Sequence, residues 1–151
     1  MTGVFDVQSV EETWGLAKRF AAELKPGDVV CLEGDLGAGK TTFTQGLATA
    51  LGVTGRVTSP TFCIVQEHRA SNLPNLPNRP NLPNLLVHMD LFRLHGEDDV
   101  LAIGWEDYLA EGAVLVVERP ERAGTLIPAD AKHVVFTHAE GGEESRRIEF
   151  R

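Results

Sequence analysis

The segment Gly34-Asp35-Leu36-Gly37-Ala38-Gly39-Lys40-Thr41 joins a short, continuously apolar run, Val29 to Leu32, to a stretch with helical spacing, Thr41 to Leu51, that stops at Gly52. An apolar run with two adjacent valines and no polar alternation suits a strand buried on both faces. The glycines of the connection permit positive φ and let successive backbone N–H groups turn inward as an anion nest. The helix that follows directs its positive end at the same point. A buried strand running through such a turn into a helix predicts a layered α/β fold.

The rest of the chain extends that pattern. Ser9-Val10-Glu11-Glu12 is a capping box in which Ser9 caps a helix and Glu12 reaches back to the Ser9 backbone N–H. Val10, Thr13, Ala17, Phe20, Ala21 and Leu24 recur at helical spacing until Pro26-Gly27. Phe62 to Gln66, Leu85 to Met89 and Ala113 to Val117 are strand candidates, the last closed by Glu118. Glu97 to Leu109 is helical with a break near Gly104. Lys132 to Thr137 and Arg146 to Phe150 flank Gly141-Gly142 as a terminal hairpin. The expected architecture is a P-loop NTPase-like three-layer sheet with a parallel centre and antiparallel edge strands. The 151 residues suit a single domain.

Asn72 to Asn84 interrupts this order with four triplets: Leu73-Pro74-Asn75, Leu76-Pro77-Asn78, Arg79-Pro80-Asn81 and Leu82-Pro83-Asn84. Proline fixes φ and lacks an N–H, which excludes a central strand or a helix. The three-residue period fits a polyproline-like spacer at a hairpin tip, or a docking strip for a partner.

Charge and composition exclude several classes. A net charge of −8 argues against a general nucleic-acid-binding surface, which needs clustered Lys and Arg. No apolar run approaches the ~20 residues of a membrane-spanning helix. Met1 to Gln8 lacks the basic and apolar regions of a signal peptide, so a cytoplasmic location is expected. Cys31 and Cys63 lie in apolar runs and read as buried small hydrophobes. The five histidines show no metal-ligand spacing with them.

The chemistry concentrates on the glycine-rich junction, which matches G-x4-G-K-[ST]. In that pattern Lys40 places a mobile charge on β- and γ-phosphate oxygens. The Thr41 hydroxyl is a hard oxygen suited to Mg²⁺. A carboxylate at the end of a neighbouring buried strand would complete the metal site. Glu118, after Ala113 to Val117, and Asp90, after Leu86 to Met89, are the two candidates. Thr58-Ser59-Pro60-Thr61 is a stiff hydroxyl-rich loop of the kind that senses the γ-phosphate. Asp35 is a further loop acid that could orient water or a partner residue; Glu33 reads as a strand residue. No Asn-Lys-x-Asp guanine reader occurs, and the chain is too short for a kinase lid or a motor's transducing parts. A minimal ATPase remains, with a nucleotide-binding regulatory module and a small kinase as competing readings.

Gly34 to Phe43, Ser59-Pro60-Thr61-Phe62, Asp90-Leu91-Phe92-Arg93-Leu94, Ile103-Gly104 with Asp107-Tyr108-Leu109, and Glu118 with Pro120 follow in an order and spacing that resemble the bacterial TsaE family. The resemblance spans roughly Ser9 to Arg147. It implies an ATPase of tRNA N6-threonylcarbamoyladenosine synthesis at adenosine 37, working with TsaB-like and TsaD-like proteins; given the net charge of −8, these partners are expected to supply most of the tRNA contact. It implies ATP and Mg²⁺ as ligands. Residues Gly34, Asp35, Leu36, Gly37, Ala38, Gly39, Lys40, Thr41 and Thr42 would surround the phosphates, and Thr41 and Glu118 would hold Mg²⁺. Thr61 and Asp90, with Lys40, would serve hydrolysis. Val10 and Thr13 would lie near the adenine, and Arg146 would contact the nucleotide, with Arg147 as the alternative. The family reads Glu-Trp-Pro where this chain has Glu118-Arg119-Pro120, so an aromatic beside the site is replaced by a cation.

Overall fold

The computed structural model describes residues 1–35, 37–53, 57–58, 64–70 and 83–151. In chain order the elements are β1 (Gly3–Val7), α1 (Val10–Ala21), β2 (Val29–Glu33), α2 (Lys40–Ala50), β3 (Val65–Arg69), β4 (Leu85–Asp90), α3 (Glu97–Ala102), α4 (Trp105–Ala110), β5 (Val114–Glu118), β6 (Lys132–His138) and β7 (Arg146–Phe150). The strands form one sheet in the order β1-β7-β6-β2-β5-β4-β3. β2 is parallel to both β5 and β6, and β4 is parallel to β5. The β3–β4, β6–β7 and β1–β7 pairs are antiparallel. A parallel centre with antiparallel edges is therefore what the alternation of apolar runs and helical stretches specified.

The unbroken apolar character of the central strands follows from burial on both faces. Val30, Leu32, Val114, Val116 and Leu86 pack with α1 and α2, through Ala17, Phe20, Phe43 and Leu47. Their neighbours Val29, Cys31, Leu115, Val117, Val87 and Met89 pack on the other side with Val100, Trp105 and Ala123. Period-two alternation thus divides each strand between two cores, giving three layers. Burial and the nearby Glu33 charge push the Cys31 thiol up to about 12, so it is inert as a nucleophile.

Two local differences from the sequence reading have simple causes. Ser9 caps α1 as expected, its hydroxyl accepting from Glu12 N–H at 3.2 Å. The Glu12 carboxylate, however, accepts from Gln8 N–H at 2.6 Å and not from Ser9 N–H. The extended backbone of Ser9 places the preceding donor within the carboxylate's reach. The strand expected at Phe62 to Gln66 is described as Val65–Arg69, displaced toward the C-terminus because its register is set by antiparallel pairing of Val65 with Met89 and Arg69 with Leu85. Phe62 and Cys63 lie outside the described residues, as do most of the proline triplets. β1 was not foreseen. Its five residues gain strand character from pairing along β7, and Val4 stays 57% exposed. Among the described residues no helix is long and apolar enough to cross a membrane.

Candidate phosphate-binding site

β2 ends at Glu33, and the chain turns at Gly34 with φ 150°. A Cβ there would stand 2.7 Å from the Phe136 carbonyl oxygen on β6, so only glycine lets the loop leave the sheet at this point. Gly37 and Gly39 take φ 80° and 106°, and Gly39 caps α2 with no side chain above the helix N-terminus. Ala38 is buried and its N–H donates to Asp35 O at 3.0 Å, closing the turn. The amide-lined end of α2 is left facing the C-terminal ends of β2, β4 and β5.

Gly37, Gly39, Lys40, Thr41, Thr42, Asp90, Phe92, Glu118, Arg119 and Arg146 line a single cavity of about 290 Å³ at that point. The parallel register sets Asp90 opposite Glu118 and Leu32 opposite Glu118, so both acids reach the loop from adjacent strand ends. Lys40 is buried; its Nζ donates to Gly34 O at 2.7 Å and lies 3.3 Å from Glu118 Oε1. The other oxygen, Glu118 Oε2, accepts a 2.6 Å hydrogen bond from Nε2 of the fully buried His88. Burial works against ionisation of Glu118. The hydrogen bond and electrostatic attraction of His88, then those of Lys40, outweigh it and hold the carboxyl below the usual range.

Asp90 Oδ1 accepts from Phe92 N–H at 3.0 Å, which caps the turn after β4 and fixes the carboxylate at the cavity wall. Arg119 Nε lies 4.0 Å from the same oxygen, and its guanidinium carbon is 5.0 Å from the Phe92 ring centroid. Arg119 has φ 60° and ψ 54°, the one positive-φ residue other than glycine among the described residues. Such a conformation persists where the surroundings impose it, and it clusters at functional sites. From the other side, Arg146 Nη2 donates to Gly37 O at 3.0 Å, and Nη1 donates to Ser145 O at 2.9 Å and to Glu143 O. The Nε atoms of Arg119 and Arg146 are buried with no hydrogen-bond partner, although Arg119 Nε stays within ion-pair range of Asp90.

The residues foreseen divide accordingly. Gly37, Gly39, Lys40, Thr41, Thr42, Asp90, Glu118 and Arg146 come together; Gly34 supports them through its carbonyl. Arg147 pairs instead with Asp6 on β1, at 2.9 Å and 3.3 Å, and does not line the cavity. Asp35 is exposed and does not line the cavity. Val10 and Thr13 do not line it either; Thr13 is buried, with its hydroxyl 3.4 Å from Ser9 O. The start of α1 nevertheless approaches Arg146, because Gln8 Oε1 accepts from Ser145 Oγ at 2.8 Å. Leu36 and Thr61 lie outside the described residues. A larger groove of about 940 Å³ between α1 and α2 shares Thr41 with the site, but among the described residues its lining has no carboxylate and no loop glycine. The loop glycines and both strand-end acids line the smaller cavity.

Metal-ligand spacing does not single out His88, since no histidine is so spaced from the cysteines. Its signal was positional: it is a polar residue inside a buried strand, two residues before Asp90 and hence on the same face.

The donor set fits a metal–nucleotide ligand. Thr41 and Glu118 offer the hard oxygens that Mg²⁺ prefers, and the adjoining loop holds Gly37 and Gly39 at positive φ, a backbone that side-chain-bearing residues would strain. A parallel-centred sheet, a glycine loop opening a helix and strand-end acids define a P-loop NTPase-like fold. The chain belongs to the TsaE family: the family described as "Threonylcarbamoyl adenosine biosynthesis protein TsaE" matches residues 7–148. It is 41% identical over 140 residues to the tRNA threonylcarbamoyladenosine biosynthesis protein TsaE of Bacillus subtilis (strain 168), covering 93% of this chain and 79% of the relative. The protein of that name in Nostoc sp. is 34% identical over 152 residues, covering 99% of this chain and 85% of the relative. The crystal structure of Bacillus subtilis YdiB superposes with a TM-score of 0.73 at 35% identity, covering 99% of this chain and 84% of that one.

Proposed function

We propose that the protein is a Mg²⁺-dependent ATPase serving threonylcarbamoylation of tRNA adenosine 37, acting in the cytoplasm with TsaB-like and TsaD-like proteins. The observation that carries the reading is the convergence of Lys40, Thr41, Asp90 and Glu118 on one cavity beside the glycine loop. The names of the relatives supply the pathway.

The loop amides and Lys40 bind the triphosphate, and Lys40 exchanges its contact with Glu118 for the phosphate oxygens. Thr41 and Glu118 would hold Mg²⁺, which would supply charge neutralisation for the triphosphate. Asp90, anchored by Phe92 N–H, orients the attacking water, and the family resemblance adds Thr61 as a second hydrolysis residue. Arg146 follows the phosphates from the rim, and the start of α1, near Val10 and Thr13, borders the base. With a net charge of −8 the isolated chain binds tRNA weakly, and its partners provide the tRNA surface.

Reconstituted tRNA modification with Lys40→Ala and Glu118→Ala variants tests this reading. Both variants should bind the partner proteins and fail to sustain repeated turnover. Multiple turnovers with both variants would remove ATP hydrolysis from the function.

A further inference from the structure

We propose that His88 is a positioning residue for the metal-binding carboxylate Glu118, dedicating one of its oxygens and leaving the other for the metal. The inference rests on the reading of Glu118 as a Mg²⁺ ligand given above.

The geometry is specific. β4 and β5 run in parallel with His88 beside Val116 and Asp90 beside Glu118. His88 and Glu118 are therefore diagonal neighbours on the face of the sheet that carries the loop, and His88 Nε2 reaches Glu118 Oε2 at 2.6 Å. A carboxylate only accepts hydrogen bonds, so Nε2 donates. His88 is completely buried and Glu118 is 5% exposed, so water does not compete for this contact. Oε1 faces Lys40 at 3.3 Å, on the cavity side. The two oxygens thus have different tasks. Oε2 is anchored to the sheet interior, and Oε1 is shared with a lysine that has an alternative partner in Gly34 O and, when nucleotide is bound, in phosphate.

Without His88, Glu118 has a second free oxygen and a free side-chain torsion in a buried space. A metal would meet an unfixed carboxylate and would have to order it. Partners of this kind behind a metal ligand typically change metal affinity by about 10- to 100-fold. A histidine that merely fills the core predicts no such dependence. His88 Nδ1 is buried with no hydrogen-bond partner, so among the described residues the bond to Glu118 is the polar interaction that explains an imidazole here.

The test is calorimetric ATP binding in EDTA and across a Mg²⁺ titration, with four chains: wild type, His88→Leu, His88→Gln and Glu118→Ala, plus the Glu118→Ala/His88→Leu double variant. Glutamine puts an amide donor near the position of Nε2. His88→Leu should raise the Mg²⁺ concentration needed for tight ATP binding by ~10- to 100-fold while leaving binding in EDTA within about twofold of wild type. His88→Gln should restore most of the Mg²⁺ dependence. In the Glu118→Ala background, His88→Leu should change Mg²⁺ dependence no further. Wild-type Mg²⁺ dependence in His88→Leu, equal losses in the leucine and glutamine variants, or a further loss in the double variant would each overturn the proposal. If His88→Leu does not fold, His88→Ala takes its place, with the same ~10- to 100-fold rise in Mg²⁺ requirement expected and wild-type Mg²⁺ dependence overturning the proposal. Failure of wild type to bind ATP, or a Glu118→Ala variant with unaltered Mg²⁺ dependence, would instead overturn the underlying reading of the site.

Discussion

Arg146 on β7 donates through Nη2 to the carbonyl oxygen of Gly37 at 3.0 Å, tying the last strand of the sheet to the phosphate loop. Its sequence neighbour Arg147 projects to the opposite face of the strand and pairs with Asp6. Arg146→Ala should therefore weaken ATP binding by ~10-fold or more, the scale of one charge-assisted contact worth about 1.5 kcal/mol or more. Arg147→Ala should leave it within about twofold, because an exposed pair contributes little. Calorimetric ATP affinities of the two variants check this, and equal losses would contradict the assignment.

Arg119 sits where the family resemblance leads one to expect tryptophan, and its guanidinium lies over the 56% exposed Phe92 and beside Asp90. Restoring the aromatic by Arg119→Trp removes a cation from the cavity rim and from Asp90. We expect ATP turnover or affinity for a TsaD-like partner to change by about two- to fivefold, the range of a partly exposed charge contact. Steady-state hydrolysis and partner-binding titrations measure the two quantities. No change in either would mean that the cation at position 119 is inert.

Much of this site was legible because its parts are local in sequence. The glycine loop announces itself through spacing, and Gly34, Gly37 and Gly39 adopt the positive φ angles that motivated the reading. Glu118 and Asp90 were legible as acids at the ends of buried runs. What distinguished Arg146 from Arg147 was not local: it depended on which face of β7 meets the loop, and adjacent strand residues face opposite ways. The contact of His88 with Glu118 spans 30 residues and depends on the β4–β5 register, which no single run encodes. β1 was missed for the same reason, since its partner β7 lies at the far end of the chain.

The charge state of Glu118 gives a pH signature. Its folded-state pKa lies below the ordinary value of 4.5, so its ionisation stabilises the fold fully above about that pH. The contribution is lost as pH falls through the lower folded-state value. Glu118→Gln does not titrate there. Thermal melts in EDTA should show a constant difference between wild type and Glu118→Gln from pH 7 to 5. Below ~4.5 wild type should lose stability relative to the variant. A difference that stays constant to pH 3 would contradict the stabilised carboxylate.

Gly46 separates stability from function. It lies where α2 crosses α1, and an added Cβ would stand 2.7 Å from Ala17 Cβ and 3.1 Å from Trp14 Cα. Alanine would gain ~1 kcal/mol of helix propensity. Overpacking a tight crossing costs about 1–3 kcal/mol, and here backbone is among the crowded atoms, so the clash should prevail. Gly46→Ala should lower Tm by a few degrees, at ~2–4 °C per kcal/mol for a chain of this size, with ATP affinity retained. A rise in Tm on scanning calorimetry would show that the helices separate at little cost.

The proline triplets offer the last test, because the sheet determines how far they lie from the chemistry. β3 and β4 pair from Val65–Met89 to Arg69–Leu85, and Ala70 N–H donates to Asn84 O at 2.8 Å beyond the last pair. Asp90, at the other end of β4, lines the phosphate cavity. The chain thus enters and leaves the repeat about 20 Å from Asp90, at ~3.3 Å of rise per strand residue. The antiparallel pair brings Ala70 and Asn84 together, so a short glycine-containing turn can replace residues 72–82 without altering the register. That deletion should leave Mg²⁺-dependent ATP binding within about twofold of wild type, because closing a shorter loop changes stability by only ~0.6 kcal/mol per halving of length. If ATP binding is retained but partner affinity falls, the triplets are a docking strip; if both are retained, they are a spacer. Loss of ATP binding in a folded deletion variant would show that the repeat reaches the phosphate site, contrary to the position of its two ends.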